Sequence, residues 1–217
     1  MENLARLFFL SLLLTVSMTA FAQTGQPADV TVTTPDRGVL EGSHYTNNFF
    51  GMSVSVPPSW VVVSAQRSSE VTQDVRKTIT GDQQQLKQLD DSINRSITLL
   101  SLTKLPAGQP DNASIVLAAE KIPSPKIKSP ADVLRTMENM KQGTTLVIER
   151  LGEIQVQQIG GAEFAISSFK TTLPAITVTQ KVYVTVKNGY ALELFFTYLN
   201  EKDLPTLDSL VQTIKVR

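Results

Sequence analysis

The chain has 217 residues, with 20 basic and 20 acidic side chains and no cysteine. The absence of cysteine excludes disulfide bonds, thiol catalysis, thiolate metal sites and a lipidated N-terminal cysteine. The balanced charge provides no overall field that would attract nucleic acid or an anionic membrane, and no nucleic-acid partner is predicted. The length suits one domain of ordinary size after removal of a leader.

Residues 1–22 are typical of a secretory leader. Arg6 precedes an apolar run over residues 7–16, and an Ala-Phe-Ala sequence ends at Ala22. The run is too short to span a bilayer, which takes about 20 residues. The sequence therefore predicts a signal peptide cleaved after Ala22, a mature protein without a membrane span, and a periplasmic or secreted location. An uncleaved anchor is the alternative, because Glu2 weakens the positive charge that normally precedes the apolar run.

Residues 23–43 are polar and rich in Gly, Pro and Thr, which is typical of a flexible tether, with a short strand at residues 30–33 as an option. The folded domain is predicted over residues 44–217. It opens with a strand over residues 49–56, a proline-containing turn and a second strand over residues 60–64.

A single helix is predicted over residues 69–93, because its apolar residues fall on one stripe at helical spacing. Ser69 can cap its first turn. Gly81 lies off the stripe, so the helix can cross this residue at a cost of about 1 kcal/mol.

Residues 96–104 and 114–122 are apolar at successive positions rather than at alternate ones. This pattern is typical of strands in the middle of a sheet whose two faces are both covered. A second helix is predicted to begin at Pro130, with Ser129 as its cap, and to stop at Gly143.

A hairpin is predicted over residues 176–199, where apolar and polar residues alternate. A two-residue loop at Asn188 and Gly189 would place Val184 opposite Glu193 and mix the two faces. A three-residue loop that also includes Lys187 pairs Val184 with Leu192 and keeps one face apolar. The alternation therefore predicts the three-residue loop.

Together these elements predict an α+β fold, in the form of a three-layer α/β/α sandwich with a central, mainly antiparallel sheet. Strands over residues 146–159 and 162–173 precede the hairpin, and a helix over residues 204–214 ends the chain. Short links between strands favour antiparallel pairing, and doubly apolar strands require a covering layer on both faces.

The segment YTNNFFGMSVSVPPSW, residues 45–60, resembles the opening strand pair of the PsbP-like family. The positions that carry this resemblance are Asn47, Phe50, Gly51, Pro57 and Trp60. Ser59 replaces the glycine that usually precedes the tryptophan. The sequences of residues 189–196 and 204–216 resemble the family's last strand and C-terminal helix. IGGAEF, residues 159–164, and Gln180 resemble its secreted bacterial members.

The resemblance implies an α/β/α sandwich with a central antiparallel sheet. The family includes a lumenal photosystem II subunit and a Ran-GTPase-binding nuclear import factor, and most members bind or assemble with other proteins. The resemblance does not imply a shared activity, but it makes an enzyme less expected. Together with the predicted leader and the missing catalytic motifs, it favours a non-catalytic binding or assembly module, with another envelope or extracellular protein as its partner. Fold-level similarity does not identify that partner or the oligomeric state.

Candidate binding residues come from a basic cluster of Lys121, Lys126 and Lys128. The cluster precedes the N-terminus of the helix predicted at Pro130, and such a site can hold an anionic group. The alternative is a solvated loop whose charges face water.

Two aromatic residues, Tyr45 and Trp60, are further binding candidates, although they also suit the core and rim of the first hairpin. A second hypothesis is a small-ligand carrier with an apolar pocket between sheet and helix, lined by residues such as Phe164, Phe196 and Trp60.

Glu120 and Glu193 are acids within apolar strands. A carboxyl in such a place has a raised pKa and can act as a general acid or base, which makes a hydrolase the third hypothesis. The favoured interpretation is a solvent-facing or strand-end position, because unpaired acids are rarely fully buried. No catalytic set, metal or cofactor is predicted, because the single histidine, His44, has no second histidine or cysteine beside it to complete a zinc site.

Overall fold

The computed structural model describes residues 35–106, 109, 112–139, 144–173 and 176–217. The predicted signal peptide, the optional strand at residues 30–33 and the helix stop at Gly143 lie outside the described residues.

The described chain forms eleven strands, four α-helices and a short 3-10 helix over Glu201–Asp203. The strands are β1 Val39–Glu41, β2 His44–Asn47, β3 Met52–Ser55, β4 Val61–Val62, β5 Ser96–Thr103, β6 Ser114–Lys121, β7 Val147–Ile159, β8 Ala162–Leu173, β9 Ile176–Lys187, β10 Tyr190–Tyr198 and β11 Lys215–Val216. The helices are α1 Ala65–Thr78, α2 Gln83–Arg95, α3 Pro130–Asn139 and α4 Leu204–Val211.

Two antiparallel sheets organise these elements. The larger has seven strands in the order β4-β5-β6-β10-β9-β8-β7, and the smaller has four in the order β1-β2-β3-β11. Every described strand pair is antiparallel. The predicted α+β class and the mainly antiparallel sheet are confirmed.

The large sheet separates two hydrophobic clusters. On one face α1, α2 and α3 supply residues such as Val75, Ile93 and Leu134. On the other face the small sheet supplies residues such as Tyr45 and Val54, together with residues of α4. The strands β5 and β6 are mostly buried along their length, as their doubly apolar sequences predict. One outer layer differs from the prediction, because it combines a small sheet with a helix.

The register predicted for the β9–β10 hairpin is wrong. Tyr190 pairs with Lys187 and Glu193 lies opposite Val184, so the loop has only Asn188 and Gly189, at φ of 52° and 79°. Both residues adopt the left-handed conformation that a tight two-residue hairpin turn requires. The prediction assumed one apolar and one polar face, whereas both faces of this sheet pack against covering layers. The observed register places Glu193 on the face covered by α1, α2 and α3.

The single helix predicted over residues 69–93 is also wrong, because α1 and α2 are separate. Ser64, not Ser69, caps α1 by accepting a hydrogen bond from the Arg67 N–H at 3.2 Å. The Asp82 carboxylate caps α2 by accepting from the Gln85 N–H at 2.9 Å. Between the helices, Gly81 forms a β-bridge with the segment that precedes β7, so the chain leaves the helical path there.

The beginning and end of the domain differ in detail from the predicted boundaries. β1 falls within the predicted tether of residues 23–43 and pairs with β2. The strand predicted over residues 49–56 begins at Met52, and residues 48–51 form a turn. The C-terminal helix ends at Val211, and β11 then pairs with β3, which closes the small sheet.

Candidate functional site

A cavity of about 430 Å³ lies between α2, α3 and the large sheet. Its apolar walls are Ile122, Pro123, Ile127, Val133, Met137 and Ala191. Its polar residues are Gln88, Asp91, Ser92, Arg95, Glu120, Thr136 and Glu193. This volume and this mixture of apolar walls with a few polar groups are typical of small-molecule sites.

Glu193 forms part of the floor of this cavity. It lies in the middle of β10, between Ala118 of β6 and Val184 of β9. Both neighbours are short or apolar and cannot pair with a carboxyl group. The residue is 1% exposed, and its Oε2 atom has no hydrogen-bond partner among the described residues.

Glu120 lies beside Glu193 on the same face of the sheet. In the β6–β10 register, Glu120 is opposite Ala191, two residues along β10 from Glu193. Such diagonal neighbours have Cα atoms roughly 7–8 Å apart, within reach of long side chains. The two acids selected from the sequence therefore form a pair in space.

Helix α2 supplies the partners of Glu120. The Ser92 hydroxyl donates to Glu120 Oε1 at 3.0 Å, and Arg95 Nη2 donates to the same oxygen at 2.9 Å. Residues three apart on a helix share a face, so both donors point toward the sheet from consecutive turns. The Nε atom of Arg95 is buried and has no partner in the described chain.

The environment raises the pKa of both carboxyl groups. Burial raises the pKa of Glu120, while the charge of Arg95 and the hydrogen bond from Ser92 act in the opposite direction. Burial raises the pKa of Glu193 well above its ordinary value, and the nearby Glu120 carboxylate raises it further. Desolvation disfavours the charged form of an acid, and a second negative charge adds to that effect.

The described ion pairs leave Glu193 as the unpaired acid of the cavity. Asp91 pairs with Lys87 at 2.7 Å, and Glu120 pairs with Arg95 at 2.9 Å. Arg95 is the one basic residue among the described lining residues. The site therefore combines a buried, protonatable acid with an acid that is already neutralised.

The basic cluster predicted from the sequence lies outside this cavity. All three lysines are exposed: Lys121 ends β6, and Lys126 and Lys128 lie in the segment between β6 and α3. The Asp132 carboxylate accepts hydrogen bonds from the backbone N–H groups of Lys128 at 3.1 Å and Ser129 at 3.0 Å. These hydrogen bonds lower the pKa of Asp132. An acid of the chain thus already occupies donors that an anionic ligand would use, and anion binding by the lysines stays a prediction.

The two aromatic candidates are in the core and at its margin. Tyr45 is 1% exposed, and its hydroxyl donates to the Arg37 carbonyl at 2.8 Å. Burial raises the pKa of this hydroxyl. Trp60 is half-buried, with its ring centroid 6.2 Å from that of Phe196. These contacts suit the core-and-rim interpretation, and a binding role for either residue stays a prediction.

The structure places the cavity on the opposite face of the sheet from the pocket predicted at Phe164, Phe196 and Trp60. Phe164 and Phe196 are 1% and 0% exposed and pack in the cluster beneath the small sheet and α4. That cluster contains most of the aromatic side chains in the described part of the chain.

Ser92 and Arg95 were not identified from the sequence. Ser92 falls in the stretch predicted as one long helix, beside the predicted apolar positions Leu89 and Ile93, and Arg95 lies beyond the predicted end at residue 93. The two-residue turn at Asn188 and Gly189 fixes only the register of β9 with β10. The proximity of Glu120 and Glu193 follows from the register of β6 with β10, two strands that are distant in sequence.

Two further sequence expectations concern metals and membranes. Within the described ranges, no group of three or more His, Cys, Asp or Glu side chains could hold a metal ion. Of the helices that the structure describes, none has both the length and the apolar character needed to cross a membrane.

Comparison with solved structures finds distant similarity. Cyanobacterial PsbP (CyanoP) from Synechocystis sp. PCC 6803 is 13% identical, covers 89% of this chain and 98% of its own, and has a TM-score of 0.48. LpqN of Mycobacterium tuberculosis, a protein involved in cell envelope biogenesis, is 16% identical. The match covers 84% of this chain and 89% of LpqN, with a TM-score of 0.43. PA94 of Pseudomonas aeruginosa is 19% identical. The match covers 54% of this chain and 81% of PA94, with a TM-score of 0.44.

Sequence comparisons add no relative. No protein-family model matches the chain, and no curated protein matches it. Membership of the PsbP-like family stays a prediction.

Proposed function

We propose that this protein is an exported, non-catalytic binding module that holds a small ligand in the cavity between α2, α3 and the large sheet. The observation that carries the proposal is the Glu193 carboxyl, which is 1% exposed, lines the cavity and has an oxygen without a partner among the described residues.

An unpaired buried polar group is costly for a folded protein. Leaving such a group without a hydrogen bond costs about 1–3 kcal/mol, and few such groups occur in natural structures. A ligand that forms a hydrogen bond with Glu193 would recover this energy. The apolar walls beside Glu193, including Val133 and Met137, would contribute by burying the body of the ligand.

The predicted leader supports export, and the resemblance to the PsbP-like family supports a protein partner. Processing after Ala22 would give a mature protein that begins at Gln23, and N-terminal sequencing of the native protein tests this. A mature chain that begins at Met1 would contradict export by a cleaved leader. A protein partner in the envelope or outside the cell remains part of the proposal, because most of the resembling family binds other proteins.

A hydrolase that uses Glu120 or Glu193 is the catalytic alternative, favoured by the two raised pKa values. The binding proposal and this alternative differ in their response to isosteric substitution. If a hydrolytic activity is found, its persistence in Glu120→Gln and Glu193→Gln would exclude these residues as catalysts. Its loss with retained ligand binding would support the hydrolase instead.

Fragment binding tests the proposed site directly. A library of small fragments is screened against the full chain by ligand-observed NMR, and hits are titrated against two variants. Gln88→Trp adds a bulky side chain at an exposed lining position of α2. Gln84→Trp, one turn earlier, adds the same side chain at an exposed position that does not line the cavity.

The proposal predicts that hits bind the wild-type chain and Gln84→Trp equally and bind Gln88→Trp at least about tenfold more weakly, a difference of about 1.4 kcal/mol. Hits that bind all three proteins alike would place binding elsewhere and overturn the proposed site. An absence of hits for the wild-type chain would overturn it as well.

A further inference from the structure

We propose that the cavity selects an organic cation, with a primary or secondary ammonium group held between Glu193 and Glu120 and an apolar body against α3. This inference rests on the proposed function, since it names the class of ligand for the same cavity. The experiment below separates the two.

The charges of the lining residues favour a cation. Three acids, Asp91, Glu120 and Glu193, line the cavity with one base, Arg95. Arg95 already pairs with Glu120, and Asp91 already pairs with Lys87 outside the lining. One acid, Glu193, therefore lacks a cationic partner in the described chain. An anionic ligand would meet these carboxyl groups, and the charge of Arg95, whose Nε–H has no partner among the described residues, is already balanced by Glu120.

The arrangement of acceptors favours an ammonium group. Glu120 and Glu193 lie diagonally on neighbouring strands, so one nitrogen between them can reach both carboxyl groups. An ammonium has only donors to offer, and an ionised carboxylate has only acceptors. Glu193 Oε2 has no partner among the described residues and is closed to water. A rotation of the carboxyl group toward the cavity would let an ammonium supply the hydrogen bond that this atom lacks.

The walls of the cavity favour an N–H donor over a quaternary cation. Proteins usually bind quaternary ammonium groups with aromatic rings, and none of the described lining residues is aromatic. The walls consist instead of aliphatic side chains such as Ile127, Val133 and Met137. They suit a compact aliphatic or ring-shaped body attached to the amine.

Binding of an ammonium requires a change of protonation at Glu193. In the free protein burial keeps Glu193 protonated to a higher pH than an exposed acid. On binding, the O–H bond of Glu193 breaks, the proton goes to solvent, and the carboxylate pairs with the ammonium. Up to one proton is released per ligand, and charge is balanced.

The groups that face Glu193 determine how this proton release depends on pH. From β6 it faces Glu120, and from α2 it faces Asp91 and Arg95. Strand β9 contributes Val184, and α3 contributes Val133, Thr136 and Met137, none of which titrates. Affinity for an amine should therefore rise with pH until Glu193 is ionised in the free protein or the amine loses its own proton.

Isothermal titration calorimetry on the full chain tests the inference with three probes of one shape: benzylamine, benzyl alcohol and benzoate. We expect benzylamine to bind at least about tenfold more tightly than the other two, because hydrogen bonds between ionised groups are about twice as strong as neutral ones. Titrations at several pH values, each in two buffers of different ionisation enthalpy, should show proton release with benzylamine alone at any pH where the Glu193 carboxyl of the free protein is still protonated. Benzyltrimethylammonium, which has no N–H donor, should bind more weakly than benzylamine.

Two substitutions identify the carboxyl group responsible. Glu193→Gln keeps the shape of the protonated acid and should abolish both the preference for benzylamine and the proton release, while benzyl alcohol binds as before. Glu163→Gln, at an exposed position of β8, is the matched control and should change neither. If Glu193→Gln does not fold, Glu120→Gln replaces it, with the expectation of a weaker preference for the amine.

The outcomes separate the inference from the proposed function. Equal affinities for the three probes, or a preference for benzoate, would overturn the ammonium inference and leave the cavity as a ligand site. An amine preference that survives Glu193→Gln would also overturn the inference. Failure of every probe and of the fragment screen would overturn both.

Discussion

Glu193 makes the stability of the protein depend on pH. Burial and the neighbouring Glu120 raise the pKa of its carboxyl group in the folded chain. In the unfolded chain the group returns to its ordinary pKa of about 4.3. The folded protein therefore binds more protons than the unfolded chain between these two values, and stability falls as pH rises through that window.

Glu193→Gln should flatten this pH dependence. The amide cannot ionise, so the variant does not pay the cost of placing a charge in the cavity as pH rises. The expected gain relative to wild type is about 1.4 kcal/mol for each unit by which folding raises the pKa, and it is fully present only above the raised value. Urea unfolding at several pH values from 4 to about 9 measures the difference.

Glu163→Gln is the control for this prediction, because Glu163 is exposed on β8. Its stability curve should run parallel to that of the wild-type chain. Parallel curves for Glu193→Gln and wild type would show that Glu193 titrates normally and would contradict the electrostatic account of the cavity.

Gly160 is a second residue whose role can be isolated by substitution. It lies in the turn between β7 and β8 at φ +58°, and an added Cβ would meet the Ile214 carbonyl oxygen at 2.1 Å. Gly42 has φ +59° and open space around its Cβ position. Gly42→Ala should cost about 1–2 kcal/mol for the left-handed backbone alone.

Gly160→Ala should cost about 1–3 kcal/mol more than Gly42→Ala, because it also forces the backbone of the β11 segment away. The hydrogen bond from the Val216 N–H to the Gly160 carbonyl, 2.7 Å long, would be strained by the same movement. Thermal and urea unfolding of both variants measure the difference. Equal costs would mean that the close approach of these two segments is not maintained in solution.

At the scale of elements, the pairing of α1 with α2 positions the cavity. Arg76 of α1 donates from Nε at 2.5 Å and from Nη2 at 2.8 Å to the two carboxylate oxygens of Asp90. Asp90 lies on the helix that carries Ser92 and Arg95. This two-pronged ion pair therefore helps to fix the orientation of the helix above Glu120.

Arg76→Met should lower the free energy of unfolding by about 1 kcal/mol, since Asp90 is partly exposed and water screens the pair. Lys77→Met removes the exposed ion pair to Asp74 and should change it by much less. Urea unfolding of both variants tests this. An equal effect of the two substitutions would show that the Arg76–Asp90 pair contributes no more than an ordinary surface pair.

The elements differ in how well the sequence predicts them. Strands β5 and β6 and the start of α3 at Pro130 were predicted within one residue at their described ends, because burial on both faces and capping leave local patterns. The β9–β10 register was predicted wrongly. The prediction chose the register that gives the hairpin one apolar and one polar face, and this criterion fails because both faces of the sheet are covered. The break at Gly81 was missed because it depends on a bridge to Thr144, which is distant in sequence.

At the scale of the whole molecule, the two covering layers have different roles. The small sheet and α4 cover one face with tightly packed aromatic residues, including Phe50, Phe164 and Phe196, which are at most 1% exposed. Three separate helices cover the other face, and the cavity lies between two of them. The sequence predicted a covered sheet and two unusual acids. It could not predict the cavity, which depends on how α2 and α3 are placed.

Glu193 should stay protonated to a higher pH than an exposed acid in the free protein and should be ionised when an amine is bound. Carbon-13 NMR of the full chain with labelled glutamate carboxyl groups measures this, with the Glu193 signal assigned by its loss in Glu193→Gln. We predict a titration well above pH 4.3 in the free protein, and a shift of that titration to lower pH with saturating benzylamine. A Glu193 signal that titrates near pH 4.3 in the free protein, or that does not respond to benzylamine, would contradict the account.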